Sequence, residues 1–217
     1  MATVTIVENI FNELSSLIIS GEIKPGQKLD EQEIADRFHV SRTPIREAFR
    51  LLTTSGLIEA KSRKGITVIE LDIEQLSDMY EALQELEALC ARLCAERMTV
   101  LERKQIIRLH EKSRVAVNEE NIEEFARINN LIHGAVHSGS RNKTLQETII
   151  NLRKRLTLYR QPWLFEKRNR LEKSFAEHQE LVDALEQGDK EAAYNAMSNH
   201  ISNTSLGTID YLMSLNN

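Results

Sequence analysis

Beyond Asp72 the sequence holds no run that alternates like a strand. Apolar residues recur instead at three- and four-residue steps, segment after segment, toward the C-terminal end. A chain with that pattern must bury helix against helix. Asp72 with Gln75, Thr99 with Glu102 and Asn121 with Glu124 each set a capping side chain three residues ahead of an acid or amide, which marks helix starts. The short loop Gly139 to Asn142 separates two segments, and Pro162 and Gly188 mark later breaks. The spacing predicts about six helices, near 73–97, 100–118, 122–138, 143–160, 168–187 and 189–214.

The N-terminal part reads differently. Val7, Ile10, Phe11, Leu14, Leu17 and Ile18 give one amphipathic helix from Thr5 to Ser20, closed by Gly21. Pro25-Gly26 turns the chain toward Leu29, and Asp30 with Glu33 opens a short helix, Glu31 to Phe38, whose inner face carries Ile34, Ala35 and Phe38. His39-Val40 breaks it. Ser41 stands as N-cap of a third helix that tolerates Pro44 in its first turn, buries Ile45, Ala48, Phe49 and Leu52, and stops at Gly56. Two β-prone runs, Leu57 to Ala60 and Ile66 to Ile69, flank Lys61-Ser62-Arg63-Lys64-Gly65 and make a hairpin with a cationic tip. The expected fold class is mostly α. An N-terminal winged helix-turn-helix domain occupies 1–71 and a C-terminal all-α bundle of about six helices occupies 72–217, with the boundary near Glu70 to Asp72.

A formal charge of −5 excludes a protein that coats nucleic acid without regard to sequence, because such binding needs a broad cationic surface. The charge is unevenly placed. From Arg37 to Lys64, seven basic residues (Arg37, Arg42, Arg46, Arg50, Lys61, Arg63, Lys64) meet two acidic ones (Glu47, Glu59), a net +5. No apolar run approaches the roughly 20 residues that span a bilayer, and the start MATVTIVENIF lacks the features of a signal peptide. A cytoplasmic protein with no membrane partner is expected. Cys90 and Cys94, four apart in a leucine-rich helical pattern, have the wrong spacing for a disulfide framework or a C-x-x-C metal site and read as core filling.

In a winged helix-turn-helix the second short helix is the reader. Its first turn, Ser41-Arg42-Thr43-Pro44-Ile45-Arg46, sets Arg42 and Arg46 one turn apart, opposite the apolar face of Ile45, Ala48 and Phe49. Arginines there can pair with guanine O6 and N7 in the major groove, while Ser41, Thr43 and the helix N-terminus can take phosphate. Arg63 and Lys64 at the hairpin tip would meet an adjacent groove or backbone, and Gly65 allows close approach. Exposed arginines on an ordinary three-helix unit are the plainer reading of the spacing alone. The coincidence of positive charge with both the reader's first turn and the wing tip favours double-stranded DNA as a partner.

The run ISGEIKPGQKLDEQEIADRFHVSRTPIREAFRLLTTSGLIEAKSRKGITV closely resembles the N-terminal signature of GntR-family regulators: G-x-I-x-P-G-x-x-L, then V-S-R-T-P-I-R-E-A, then G-L-I and the R-K-G wing, in order and at the family's spacing. The resemblance implies that Arg42, Thr43, Arg46 and Gly65 contact DNA, and that a homodimer binds a palindromic operator. Gln32 stands where relatives carry an arginine contact.

Three histidines recur on three different C-terminal helices: His133 in ARINNLIHGAVHSGSRN, His178 in EKSFAEHQELVDALEQGD and His200 in AAYNAMSNHIS. Asn129 lies one turn before His133 on the same face and offers an oxygen beside the imidazole. Spacing alone does not bring the three together. This half resembles the FCD ligand-binding domain of the FadR branch, in which Asn129, His133, His178 and His200 occupy metal-ligand positions. That likeness implies a divalent ion such as zinc or nickel. Many relatives have aspartate at Asn129, so a neutral amide here lowers the expected affinity. Relatives often carry a carboxylate-clamping arginine where this chain has Leu83, which weakens an organic acid as the small-molecule effector. Arg153 and Arg155 are candidates to replace it. His110 and His137 read as surface or structural residues, and Trp163 as a packing anchor.

Three functions fit this reading. The first is a ligand-responsive DNA-binding regulator, a repressor by expectation and not an enzyme. The second is a metal-dependent enzyme built on the three histidines, although no acid is placed by motif as its general base. The third is a constitutive DNA binder whose C-terminal domain only dimerises.

Overall fold

The structure, a computed structural model, describes residues 5–61, 65–166 and 168–215. Among them the chain is almost wholly helical, with a three-stranded sheet near the N-terminal end. By its own contacts it forms two compact units, one of residues 1–74 together with 153–161, the other of 75–152 with 162–217.

In the first unit Thr5 caps α1 (Ile6–Ile19) with a reciprocal capping box to Glu8, and Ile10, Leu14 and Ile18 are buried along its inner face. α1 packs on α3 (Arg42–Thr54), with α2 (Glu31–Phe38) beside it. The Asp30 carboxylate accepts the Gln32 and Glu33 amide N–H groups, so the charge at this cap is stabilised and its pKa is lowered. Ser41 takes the N-cap position of α3 as expected, but its side chain makes no capping hydrogen bond. Strands β2 (Ile58–Lys61) and β3 (Gly65–Val68) pair antiparallel, Ile58 opposite Val68 and Lys61 opposite Gly65. A two-residue strand β1 (Lys28–Leu29), which the sequence does not announce, adds to the other edge of β3. Gly65 has φ +78°, the left-handed region that a side chain rarely adopts, with the Lys28 side chain beside it. Tyr159 belongs to this unit, where its hydroxyl accepts the Leu71 N–H at 2.7 Å.

The second unit is built from α4 (Ile73–Arg97), α5 (Val100–Asn118), α6 (Ile122–Gly139), α8 (Arg168–Gln187) and α9 (Lys190–Leu215), with the remainder of α7 (Lys143–Glu166). Thr99 and Asn121 cap α5 and α6 as their spacing predicts. α8 packs on α9 and α5, and α5 on α6. α4 is buried along several faces, and Cys90 and Cys94 sit free and fully buried within it, their thiols pushed up to about 12 by desolvation. Pro162 does not end α7, which continues to Glu166. A proline removes one helical hydrogen bond, and the good helix formers around it carry the helix past that loss. Among the described residues no helix is long and apolar enough to cross a membrane.

Candidate functional site

Two sites stand in two different units. On the first, α3 presents Arg42, Thr43 and Arg46 to solvent while Ile45, Ala48, Phe49 and Leu52 bury its other face. Side chains of α2 hold both arginines. Arg46 Nε donates to Glu31 Oε2 at 2.8 Å, and Arg42 Nε donates to Gln32 Oε1 at 2.6 Å. Gln32 Nε2 donates in turn to Asp36 at 2.7 Å, so Gln32 links the two helices. Ser41 and Gln32 are exposed on the same unit. Arg63 and Lys64 lie outside the described residues, as does the side chain of Trp163.

On the second unit, α6, α8 and α9 bring His133, His178 and His200 together. One nitrogen from each lies within 4.8 Å of the others, and the ring centroids are 4.5–5.5 Å apart. All three are buried, as is Asn129 one turn before His133. Helical periodicity explains the convergence. Each histidine falls on the inner stripe of its helix, alongside Ile132 and Val136 on α6, Leu181 and Val182 on α8, and Met197 and Ile201 on α9.

Carboxylates that sequence reasoning missed stand behind two of these rings. His200 Nδ1 donates to Glu177 Oε2 at 2.6 Å, and Glu177 also accepts from Arg170 at 2.8 Å and from Asn203 at 3.0 Å. Burial alone would raise the Glu177 carboxyl, but the His200 and Arg170 hydrogen bonds and charges outweigh it and bring the pKa down to about 2. His133 Nδ1 lies 3.5 Å from Glu87 Oε2, and His137 Nε2 donates to the same oxygen at 2.8 Å. His137 is thus buried rather than at the surface. His110 is buried too, stacked on Phe175 and hydrogen-bonded to Gln179.

His178 differs from its two neighbours. Neither of its nitrogens has a hydrogen-bond partner among the described residues, though it is fully buried. Desolvation, and then the proximity of His200 and His133, hold its pKa well below the usual histidine range, so it stays neutral with a lone pair to offer. With Nδ1 of His133 and His200 turned to carboxylates, the nitrogen each can turn to an ion is Nε2. Three imidazoles facing one point, two of them backed by carboxylates, form a donor set that suits a divalent transition metal. A cavity of about 640 Å³ between α8 and α9, lined among others by Asn169, Arg170, Lys173, Glu177 and Asn203, opens beside this cluster. Arg153 and Arg155 group instead with the first unit, where the Arg155 side chain lies against Gly56.

Comparison with known proteins agrees with both halves. Residues 6–68 match the family described as bacterial regulatory proteins, gntR family, and residues 78–203, more than half of the chain, match the FCD domain. The chain is similar to the HTH-type transcriptional regulator LutR of Bacillus subtilis (strain 168), 30% identical over 210 residues that cover 86% of this chain and 94% of that protein. It is also similar to the HTH-type transcriptional repressor RspR of Escherichia coli (strain K12), 27% identical over 195 residues, 89% of this chain and 85% of that one. The solved structure of E. coli McbR/YncC superposes with a TM-score of 0.75 over 99% of this chain and 100% of that chain, a likeness of fold at 24% identity. The chain belongs to the GntR family of bacterial regulatory proteins, in the branch that carries an FCD domain, and is a DNA-binding transcription regulator rather than an enzyme.

Proposed function

We propose that this regulator is a metabolite-responsive repressor that binds a palindromic operator as a homodimer, with residues 1–71 reading DNA and 72–217 sensing the effector. The observation that carries the sensing half is His178, a fully buried imidazole with two unpartnered nitrogens set between His133 and His200. Burying such a group without a partner is costly, and a bound divalent ion would take up one of its two nitrogens and reduce that cost. His133, His178 and His200, with Asn129, would hold zinc, nickel or a similar ion, which supplies open positions for a carboxylate or hydroxyl oxygen of the effector.

The chain's own residues do the rest. Glu177 and Glu87 orient two of the imidazoles, and the groove lined by Arg170, Lys173, Glu177 and Glu180 gives a small metabolite room. On the reader, Arg42 and Arg46 are assigned to base edges, and Ser41, Thr43, Gln32, Gly65, Arg63 and Lys64 to backbone and adjacent groove contacts. The repressor sense is supported by the similar RspR of Escherichia coli, an HTH-type transcriptional repressor.

His178→Ala tests this reading, since it should abolish metal uptake and effector response while leaving operator affinity of the metal-free protein unchanged. Elemental analysis, metal titration and operator-binding assays read the three quantities. Equal metal content and affinity in wild type and variant would remove the histidines from the assignment.

A further inference from the structure

Glu87 is a carboxylate at 0% exposure on the inner stripe of α4, flanked along the helix by Leu83, Cys90 and Ala91. A charge in such a place is tolerated only where other groups require it. The groups it faces are two imidazoles one turn apart on α6: His137 Nε2 at 2.8 Å and His133 Nδ1 at 3.5 Å, both on the same oxygen. His133 is thereby placed between Glu87 on one side and the His178–His200 cluster on the other.

We propose that Glu87, aimed by His137, is a positioning residue that fixes His133 as its Nδ1–H tautomer and turns its Nε2 toward the metal; this rests on the metal reading given above. A ligating imidazole whose other nitrogen donates to a carboxylate is held in orientation and made a stronger donor. His137 supplies an N–H that holds the carboxylate's rotamer from the element carrying the ligand. His200 receives the same service from Glu177 through a 2.6 Å hydrogen bond. The arrangement compensates for Asn129, a neutral oxygen ligand, by adding a negative charge one bond further out.

The rival is a second ion held by Glu87, His133 and His137, whose ligand atoms also lie within 4.8 Å of one another. It would require His133 to bind metal through both nitrogens at once, as a bridging imidazolate that has lost its one N–H proton, and would displace the 2.8 Å hydrogen bond.

Full-length protein stripped of metal is titrated with Ni²⁺ against a chromophoric chelator and with Co²⁺ by absorption spectroscopy. Wild type should bind one ion. Glu87→Gln and His137→Ala should bind the same single ion about 10–100-fold more weakly, with an altered Co²⁺ spectrum, while His137→Gln, which keeps an N–H at the same reach, should restore most of the affinity. Thermal unfolding of each metal-free variant monitors the fold, and the His137→Gln against His137→Ala comparison stands even if Glu87→Gln is poorly folded. Wild-type affinity and spectrum in both Glu87→Gln and His137→Ala overturn the proposal. So does a wild type that takes two ions and loses one in either variant. If wild type takes up no ion, the metal reading itself fails. If His178→Ala loses the ion while the Glu87 and His137 variants keep it at full affinity, only the present inference does.

Discussion

Arg46 gives Glu31 only its Nε, which leaves both terminal guanidinium nitrogens for a guanine edge. Its ion pair with Glu31 is made by an arginine side chain 64% exposed, and exposed pairs contribute only about 0.2–1 kcal/mol. A bidentate arginine–guanine contact is worth about 1–3 kcal/mol of discrimination, and it can form with the Glu31 pair still in place. Glu31 then holds the guanidinium toward the face proposed to meet DNA. Arg46→Ala should therefore lose discrimination at one base pair per half-site by about 1–3 kcal/mol. Glu31→Gln should lower discrimination at the same base pair by about 0.2–1 kcal/mol, the worth of the pair that orients Arg46. Equilibrium titrations on operator variants check both. Unchanged discrimination in the first removes Arg46 from base readout, and tighter binding to every operator variant in the second means that Glu31 restrains Arg46 rather than positions it.

Helix ends in this chain follow local chemistry, and one of them is set by the absence of a side chain. α6 ends at Gly139, where an added Cβ would lie 2.7–2.9 Å from Met98 and Cys94 at the end of α4. Overpacking of this kind costs about 1–3 kcal/mol, against about 0.5–1 kcal/mol that alanine gains over glycine in a helix. We expect Gly139→Ala to lose about 1 kcal/mol net, seen as a lower urea midpoint at unchanged slope. A raised midpoint would show that Met98 yields without strain. The same locality decides what could be read from sequence. Thr99, Asn121 and the inner stripes of the C-terminal helices announce themselves within four residues, so these helices, α7 excepted, were legible almost to their ends. β1 was not, because two residues have no periodicity and Lys28 finds Thr67 only through the fold. Pro162 misled because a single lost hydrogen bond does not end a helix that its neighbours sustain. Of the proposed metal site, the histidines were legible through their family pattern, whereas Glu87 and His137 meet across 50 positions. The one local signal was a glutamate standing in the apolar stripe between Leu83 and Cys90.

At the scale of the molecule, one reader helix on an acidic protein is a weak binder. The formal charge of −5 leaves no broad cationic surface, so affinity must come from the few exposed contacts of α3 and its wing. Two copies joined through their C-terminal domains, as proposed, would change this, because once one reader is seated the second would bind at an effective concentration set by the assembly rather than by bulk. Such a dimer should favour half-sites one helical turn apart, about 10–10.5 base pairs centre to centre, with two-fold symmetry in the DNA matching that of the protein. Inserting five base pairs between half-sites turns one of them to the opposite side of the duplex while lengthening the site only about 17 Å. If the dimer reads both halves, affinity should fall about 10²-fold or more, to that of a single half-site. Residues 1–71 alone should bind both operators equally and weakly. Gel-shift titrations on the two operators, with sedimentation of the complex to count protomers, decide the matter. An insertion without effect, or a single protomer on the intact palindrome, would mean that each chain reads DNA by itself.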